Sequence, residues 1–341
     1  MSESNVYIDP PYTVYYQNRL FDKDDKVLNR DDSLVPYIRL KEALAASGKI
    51  LHTADFLPDA VNVQQVSDYY SVGVLDNFQR LSQRPDIRLR AFIIFEPPVV
   101  QPRLYKALPE IAAAFDEVYV HNTQGCGYSL AGVDQSKLRQ LYWPQPVNDV
   151  REVYWENRQR QRRIVVINGN HKPPSRDAEL YSKRIEVMAS LAQGGLIDLY
   201  GRGWERWWSR ASMWWPYWKN RRTLMSIYKG ACDSKYEVLS QYNFSLCFEN
   251  MSMPGYVTEK IFDCLYAGTV PLYLGAPNIA DLVPAEAYID CRQYSSWQEM
   301  EDQVMALSKE RIAEIRDAGR AFLRSANGQR YYNSLLEVFH V

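Results

Sequence analysis

Residues 248–278 read FENMSMPGYVTEKIFDCLYAGTVPLYLGAPN and place charged side chains between segments that look buried. An apolar strand is expected to end at Glu249 and Asn250, and a loop follows. Thr258 is the expected N-cap of a helix that ends at Gly268. A second apolar strand comes directly after that glycine. The stretch therefore predicts a strand, a helix and a strand of a parallel sheet with helices on its faces.

The first turn of this helix carries Glu259 and Lys260. A helix N-terminus offers unpaired backbone N–H groups and a partial positive charge, which favour a diphosphate. Lys260 would add a full positive charge, and the Glu259 carboxylate can accept hydrogen bonds from ribose hydroxyls. Together these features predict a nucleoside-diphosphate site. The alternative is structural, with Thr258 and Glu259 capping the helix and Lys260 solvated.

Outside this stretch, strand-like and helix-like segments alternate along the chain. Strands are predicted at 49–57, 69–76, 89–96, 117–122, 138–144, 162–169, 196–201, 243–250 and 269–275. Helices are predicted at 37–48, 101–115, 178–195 and 296–323, the last with a break near Gly319. The charged segment 147–163 is interpreted as a solvated linker. The expected fold class is α/β, with two Rossmann-like domains, 1–155 and 156–341, facing across a cleft; the last helix could pack back on the first domain.

Composition narrows the class of protein. The 341 residues carry a formal net charge of -1, so no global field attracts nucleic acid, and any basic site must be local. No apolar run is long enough to span a membrane. The N-terminal sequence lacks the regions of a secretory signal, so a cytoplasmic location is expected. The five cysteines include no C-x-x-C spacing and the four histidines are scattered, which favours reduced thiols over a zinc site.

Residues 244–278 resemble the signature of the alpha-1,3-fucosyltransferases, glycosyltransferase family 10. The shared order is Phe-Glu-Asn, Tyr-Val-Thr-Glu-Lys, Ala-Gly-x-Val-Pro and Leu-Gly. The resemblance implies a GT-B-type fold and a metal-independent, inverting transferase that takes fucose from GDP-fucose. The acceptor would be a hydroxyl of a GlcNAc-containing oligosaccharide or lipid-linked glycan, such as a lipopolysaccharide O-antigen, in an alpha-1,3 linkage. The second domain would bind the donor and the first the acceptor.

The resemblance also implies donor-binding residues in this sequence: Glu249, Asn250, Tyr256, Thr258, Glu259 and Lys260. Glu259 is expected on the ribose and Lys260 on the phosphates. The family places an arginine on the diphosphate, at the start of the first helix of the donor domain. Arg184 is favoured over Arg176 because a leucine follows it seven residues on, as in the family pattern. An arginine there can grip phosphate oxygens bidentately.

An inverting transferase needs a base, which the family takes as a glutamate from its N-terminal domain. Glu96 ends an apolar strand just before two prolines, where a carboxylate faces the ligand side of a parallel sheet. Partial burial beside Phe95 is expected to raise its proton affinity. The alternative is a solvated loop carboxylate. Glu110, Asp116 and Glu117 are poorer candidates because they sit on a helix and its exit turn.

The segment 203–222 holds six tryptophans, Trp204, Trp207, Trp208, Trp214, Trp215 and Trp218, interleaved with arginines. It departs from the family pattern. Three interpretations stay open: an insertion packed on the core, an acceptor-binding or lid element that stacks on sugars, and a peripheral contact with the inner face of a membrane.

Two other functions remain open at this point. The same scaffold could use another nucleotide sugar, or the protein could bind a glycan or nucleotide without catalysis. The one Asp-x-Asp match, Asp22-Lys23-Asp24, lies in a polar segment near the N-terminus, which disfavours a metal-dependent transferase. No cofactor and no metal are therefore expected, and no nucleic-acid partner.

Overall fold

The computed structural model describes residues 4–206, 208–209 and 213–341. By Cα packing the chain divides into two compact units, Met1–Pro146 with Arg330–Val341, and Val147–Gln329. The chain thus enters the second unit before the predicted boundary at 155/156. Both units are α/β, each built on one parallel sheet.

The first unit has a six-stranded sheet in the order β2-β1-β3-β4-β5-β6. Its strands are β1 Ser4–Asp9, β2 Lys49–Thr53, β3 Ser67–Val72, β4 Ile87–Ile93, β5 Glu117–Val120 and β6 Leu138–Gln140. Its helices are α1 Val35–Ala46, α2 Phe78–Leu81, α3 Pro102–Lys106, α4 Leu108–Ala114 and, near the end of the chain, α13 Ser334–Val338. Every strand pairing is parallel.

Two apolar clusters cover the faces of this sheet. One contains Leu40 and Leu44 of α1 together with Leu335 of α13, and the other contains Phe92 and Phe115. Each fully buried Leu or Phe contributes about 1.5–3 kcal/mol relative to exposure. The predicted helix 101–115 is wrong as one element, because α3 and α4 are separate around Ala107. A proline at the second position of α4 cannot donate the hydrogen bond that would continue α3.

The second unit has a five-stranded parallel sheet in the order β11-β10-β9-β7-β8. Its strands are β7 Gln161–Ile167, β8 Ile197–Tyr200, β9 Tyr242–Phe248, β10 Val270–Leu274 and β11 Ile289–Asp290. Its helices are α5 Glu152–Trp155, α6 Tyr181–Leu191, α7 Trp215–Ile227, α8 Lys235–Leu239, α9 Glu259–Ala267, α10 Trp297–Ala306 and α11 Lys309–Arg324. The division between the units falls within α12 Ala326–Tyr332.

Two predictions for the second unit are corrected. Gly319 does not break a helix; it lies buried in the middle of α11, where an added Cβ would stand 2.6 Å from Leu265 Cδ2. The helix break comes instead at Leu307 and Ser308, with Ser308 as the N-cap of α11. The segment 147–163 is also more than a solvated linker, because Arg160 donates hydrogen bonds to the carbonyls of Tyr242 and Ala267.

Within the described residues, no helix is both long enough and apolar enough to cross a membrane.

Candidate functional site

The carboxyl end of β9 organises the second unit's candidate site. β9 pairs with β10 on one side and β7 on the other, so its end lies in the interior of the sheet. The first residue beyond β9, Glu249, is fully buried, and its N–H still donates to Leu274 O at 2.8 Å. An ionisable group at this depth requires hydrogen-bonding partners.

Those partners come from Thr258. Its backbone N–H donates to Glu249 Oε1 at 2.8 Å and its hydroxyl to Glu249 Oε2 at 2.8 Å. Thr258 is also the N-cap of α9, which ends at Gly268 in the left-handed conformation, so both predicted helix ends are confirmed. Glu249 therefore fixes the start of α9 relative to the end of β9.

The Lys260 ammonium lies at the same helix end. Its Nζ is 3.2 Å from Glu249 Oε2, 2.9 Å from Thr258 Oγ1 and 3.4 Å from Glu259 Oε1. Its side chain is 23% exposed, so the cation stays within reach of solvent. A partly exposed ammonium beside a helix N-terminus is an arrangement that binds phosphate oxygens.

Glu259 offers an acceptor on the same turn. Its Oε2 is buried and has no hydrogen-bond partner among the described residues. Burial acts to raise its pKa, but the positive charges of Lys260 and Lys235 outweigh burial and lower it. The carboxylate is therefore ionised at neutral pH, with one oxygen ready to accept from a hydroxyl.

Of the two candidate arginines, Arg184 lies at this strand end. Its Nη2 donates to Phe248 O at 2.6 Å and to Glu249 O at 3.0 Å. Burial lowers the pKa of Arg184, although its guanidinium remains charged at neutral pH. Arg176 is exposed in the segment before α6.

Asn250 and Tyr256 flank the loop between β9 and α9. Asn250 O accepts from Leu180 N at 3.1 Å, which ties the strand exit to the start of α6. The Tyr256 ring is fully buried, and the preceding Gly255 N–H donates to Asn278 Oδ1 at 2.9 Å. The loop is thus held at its start by a backbone hydrogen bond from Leu180 and near its end by the Asn278 side chain. Of the six predicted donor residues of 248–260, four contact one another at the start of α9: Glu249, Thr258, Glu259 and Lys260.

Asn168 and Asn170 are two further residues to which the sequence analysis gave no role. They follow β7, the neighbour of β9, and are close to the same edge of the sheet. Asn170 is 3% exposed, and the side-chain oxygens of both residues are buried without a partner among the described residues. Polar residues directly after the apolar strand RRIVVI were the available signal. Unpaired buried acceptors at a ligand edge suit hydroxyl or amine groups of a ligand.

The first unit holds Glu96 just beyond β4. Its side chain is half-buried, and its backbone carbonyl accepts from the Tyr105 hydroxyl at 3.0 Å. The preceding carbonyl, that of Phe95, accepts from His121 Nε2 at 2.8 Å. His121 is fully buried beside Trp143, and burial lowers its pKa to about 4. A neutral imidazole therefore supports the backbone next to Glu96.

A second carboxylate at this edge belongs to Asp9, which is the last residue of β1 and is fully buried. It accepts from the hydroxyls of Tyr16 at 2.9 Å and Tyr69 at 2.5 Å, and from Asn77 Nδ2 at 2.7 Å. Three donors occupy its lone pairs, which makes Asp9 a structural residue rather than a base.

Residues 158–314 match the family model for the C-terminal domain of glycosyltransferase family 10 (fucosyltransferase). This match lies within the second unit and includes every predicted donor-binding residue. The second unit carries a family 10 glycosyltransferase domain.

The relatives of this family 10 domain are similar over short segments. The chain is 33% identical over 99 residues to the alpha-(1,3)-fucosyltransferase FucT of Helicobacter pylori, covering 29% of this chain and 21% of that protein. It is 32% identical over 160 residues to GDP-fucose protein O-fucosyltransferase 3 of Mus musculus, covering 46% of this chain and 27% of that protein. The matched segments thus span less than a third of the curated relatives.

The whole chain has a structural relative. A crystal structure of an alpha1,3-fucosyltransferase superposes with a TM-score of 0.53 at 15% identity, covering 99% of this chain and 90% of that one. The fold is the two-domain GT-B fold, which confirms the predicted class.

The tryptophan-rich segment of the family 10 domain divides into two groups. Trp204 and Trp214 are buried in the core cluster of the sheet. Trp208, Trp215 and Trp218 are 64%, 73% and 42% exposed. Trp207 lies outside the described residues. Core packing therefore accounts for only part of this segment.

Proposed function

We propose that the protein is an inverting fucosyltransferase that takes fucose from GDP-fucose. The observation that carries the proposal is the pairing of Lys260 and Glu259 on the first turn of α9, inside a family 10 domain. One offers a cation for phosphate, and the other offers an unpaired carboxylate oxygen for a ribose hydroxyl. The names of the fucosyltransferase relatives support the choice of donor.

In the proposed reaction, the acceptor oxygen forms a bond to the anomeric carbon of fucose while the bond from that carbon to the diphosphate breaks. GDP leaves with the bonding electrons. Lys260, Arg184 and the N-terminus of α9 stabilise its developing charge, so no metal ion is needed for that task. Glu96 takes the proton from the acceptor hydroxyl, and attack opposite the leaving group inverts the anomeric centre.

The proposed acceptor is a hydroxyl of a GlcNAc-containing glycan, with an alpha-1,3 linkage. The matched segment of the mouse relative, named as a protein O-fucosyltransferase, supports a protein hydroxyl as a second candidate. Both candidates share the same donor site and differ only in what brings the hydroxyl to Glu96. A panel of glycan and folded-protein acceptors, each incubated with labelled GDP-fucose, separates them.

The donor assignment is tested by isothermal titration of GDP, UDP, ADP and CMP, each with and without EDTA. GDP is expected to bind most tightly, and its Kd should be the same with and without EDTA. Lys260→Ala is expected to weaken GDP binding about 10- to 100-fold, since it removes a charged phosphate contact. Lys309→Ala, which removes an exposed lysine on α11, serves as the matched control and should bind GDP normally.

Preference for UDP or CMP, or a strict need for a divalent metal, would contradict the proposed fucosyl transfer and favour transfer of a different sugar. GDP binding with no turnover on any acceptor of the panel would favour a binding protein without catalysis.

A further inference from the structure

The exposed half of the tryptophan-rich segment is a surface that the proposed fucosyl transfer does not use. On α7, Trp215, Trp218, Lys219 and Arg222 follow the spacing i, i+3, i+4 and i+7, which places them on one face of the helix. All four are exposed, and Trp215 is 73% exposed. We call these four residues the outward stripe.

The opposite face of α7 anchors the helix in the domain. Tyr217, Leu224 and Ile227 are buried there in the core cluster. The Tyr217 hydroxyl donates to the carbonyl of Trp204, and Trp204 Nε1 donates to Asn168 O at 2.8 Å. Because α7 is fixed by this face, the outward stripe is held in place and does not depend on a ligand to form.

Further apolar side chains accompany the stripe. Met213 lies two residues before the start of α7 and is 50% exposed. Its backbone N–H donates to Ser209 O at 2.9 Å, which brings the turn carrying Trp208 beside it. Trp208 is 64% exposed. Four large apolar side chains exposed within one short segment mark an interaction surface rather than scattered surface residues.

The charge around these side chains is positive. Arg202 and Arg206 are exposed in addition to Lys219 and Arg222. Glu205 is the one acidic residue in the sequence from 202 to 222, and its Oε2 accepts from the Tyr228 hydroxyl at 3.0 Å. Tryptophan side chains favour the headgroup level of a bilayer, where anionic lipids attract nearby Lys and Arg.

We propose that the outward stripe, with Trp208 and Met213, is a membrane-interface surface that holds the protein on bilayers containing anionic phospholipid. Indole rings enter the headgroup region while Lys219 and Arg222 pair with lipid phosphates. The combination of large aromatic side chains with cations distinguishes this occupant from a neutral sugar, which needs aromatic faces but no cluster of positive charge.

The test is co-sedimentation of the full chain with vesicles of phosphatidylethanolamine and phosphatidylglycerol, compared with vesicles of phosphatidylcholine. The wild type is expected to partition at least about tenfold more strongly onto the anionic vesicles, and high salt should reduce that difference. The double variant Trp215→Ser/Trp218→Ser is expected to lose about tenfold in partitioning. The double variant Lys219→Gln/Arg222→Gln is expected to lose the preference for anionic lipid.

Matched controls are available in the same unit. Val153→Ser removes an apolar side chain that is 79% exposed on α5, and Lys309→Gln/Arg311→Gln removes two exposed charges on α11. Both should bind vesicles like the wild type. All variants change exposed side chains, so an unchanged thermal melting temperature checks that each is folded.

Equal sedimentation of the stripe variants and the wild type would overturn the proposal. Equal binding of the wild type to both kinds of vesicle would do so as well. A change in oligomeric state on substituting the stripe, without vesicle binding by the wild type, would reassign the surface to a second copy of the chain. Loss of soluble glycan binding without vesicle binding would reassign it to sugar stacking.

Discussion

The Lys260 ammonium lies 3.2 Å from Glu249 Oε2, a carboxylate oxygen that is itself fully buried. The two residues belong to different elements, the start of α9 and the end of β9, and Thr258 links them through both of its hydrogen-bonding groups. Glu249 thus positions the lysine proposed to contact phosphate. We therefore propose that Glu249, which the sequence analysis predicted to bind the donor, acts on it through Thr258 and Lys260.

Glu249→Gln keeps the size of this side chain and removes its charge. The amide must point its NH₂ group at one of the donors from Thr258 or at Lys260, which leaves a buried hydrogen bond unmade. We expect the free energy of unfolding to fall by about 2 kcal/mol, as is common when a charge-assisted hydrogen bond is lost. GDP affinity should fall with it, because Lys260 loses its orienting partner.

Urea unfolding and GDP titration measure the two effects. Glu301→Gln is the matched control, since Glu301 is also buried in the second unit but burial raises its pKa. It should leave GDP affinity unchanged. An E249Q protein that is as stable as the wild type and binds GDP equally well would rule out the supporting role of Glu249.

Gly275, which directly follows β10, leaves space for the Glu249 side chain because it has no Cβ. A Cβ at this position would stand 2.5 Å from Glu249 Cγ and 2.8 Å from Tyr273 Cζ. Gly275→Ala should therefore destabilise the protein by about 1–3 kcal/mol through overpacking, and should also weaken GDP binding by displacing Glu249. Gly319→Ala overpacks against Leu265 instead, so it should lower stability without a specific loss of GDP affinity. Equal GDP affinity in the two folded variants would argue against this coupling.

The unpaired oxygen of Glu259 leads to a prediction about the ribose. Glu259→Gln should raise the Kd for GDP about tenfold, because a charged acceptor of a ribose hydroxyl becomes neutral. The loss should be smaller for the 2′,3′-dideoxy analogue of GDP, which offers no hydroxyl to accept from. Titrating both nucleotides into the wild type and E259Q gives the coupling directly. Glu237→Gln, on the exposed first turn of α8, is the control and should bind both nucleotides like the wild type. If E259Q loses the same affinity for both nucleotides, Glu259 does not contact the ribose.

Glu96→Gln tests the base in the first unit. With the carboxylate replaced by an amide, no group at this position takes the acceptor proton, and kcat should fall about 10³-fold. Donor affinity should stay the same, since the proposed donor contacts lie in the other unit. Steady-state rates of labelled fucose transfer measure kcat, and Glu110→Gln on the exposed side of α4 serves as the control. A kcat within a few fold of the wild type would remove Glu96 from the reaction.

Local sequence signals predicted the strand and helix ends that form the candidate donor site. Thr258 and Gly268 have cap roles set by their own backbone and neighbours, so both are readable from sequence. The position of β1 between β2 and β3 is not readable in this way, because it depends on pairing with strands far along the chain. Gly319 likewise lies inside α11 at a close approach to Leu265 of α9, a contact that no local window of sequence contains.

The roles of the site residues also differ in whether they depend on local sequence or on long-range packing. Lys260 and Glu259 were assigned from their place on a helix start, a local property. The contact between the Glu249 carboxylate and Thr258 depends on how α9 packs against the end of β9. The unpaired oxygens of Asn168 and Asn170 lie near the same edge because β7 pairs with β9. Such long-range packing decides which polar residues are supports and which remain open to a ligand.

His121 gives the first unit a pH dependence of stability. Its pKa is lowered by burial from 6.5 to about 4, so the folded state keeps the imidazole neutral where the unfolded chain takes up a proton. The unfolded state therefore binds more protons between these two values, and stability falls as pH drops from about 6.5 towards 4. At about pH 5 the loss from this one group should be on the order of 2 kcal/mol.

His121→Asn removes the titrating group. The variant is expected to be less stable than the wild type at neutral pH, since it loses the stacking on Trp143, but its stability should decline less between about pH 7 and pH 5. Urea unfolding across this range gives the slope for each protein. His340→Asn, which removes an exposed histidine that contacts Glu117, serves as the comparison for a histidine at the surface of the same unit. If H121N and the wild type lose stability in parallel as the pH falls, another group sets the acid limit of this unit.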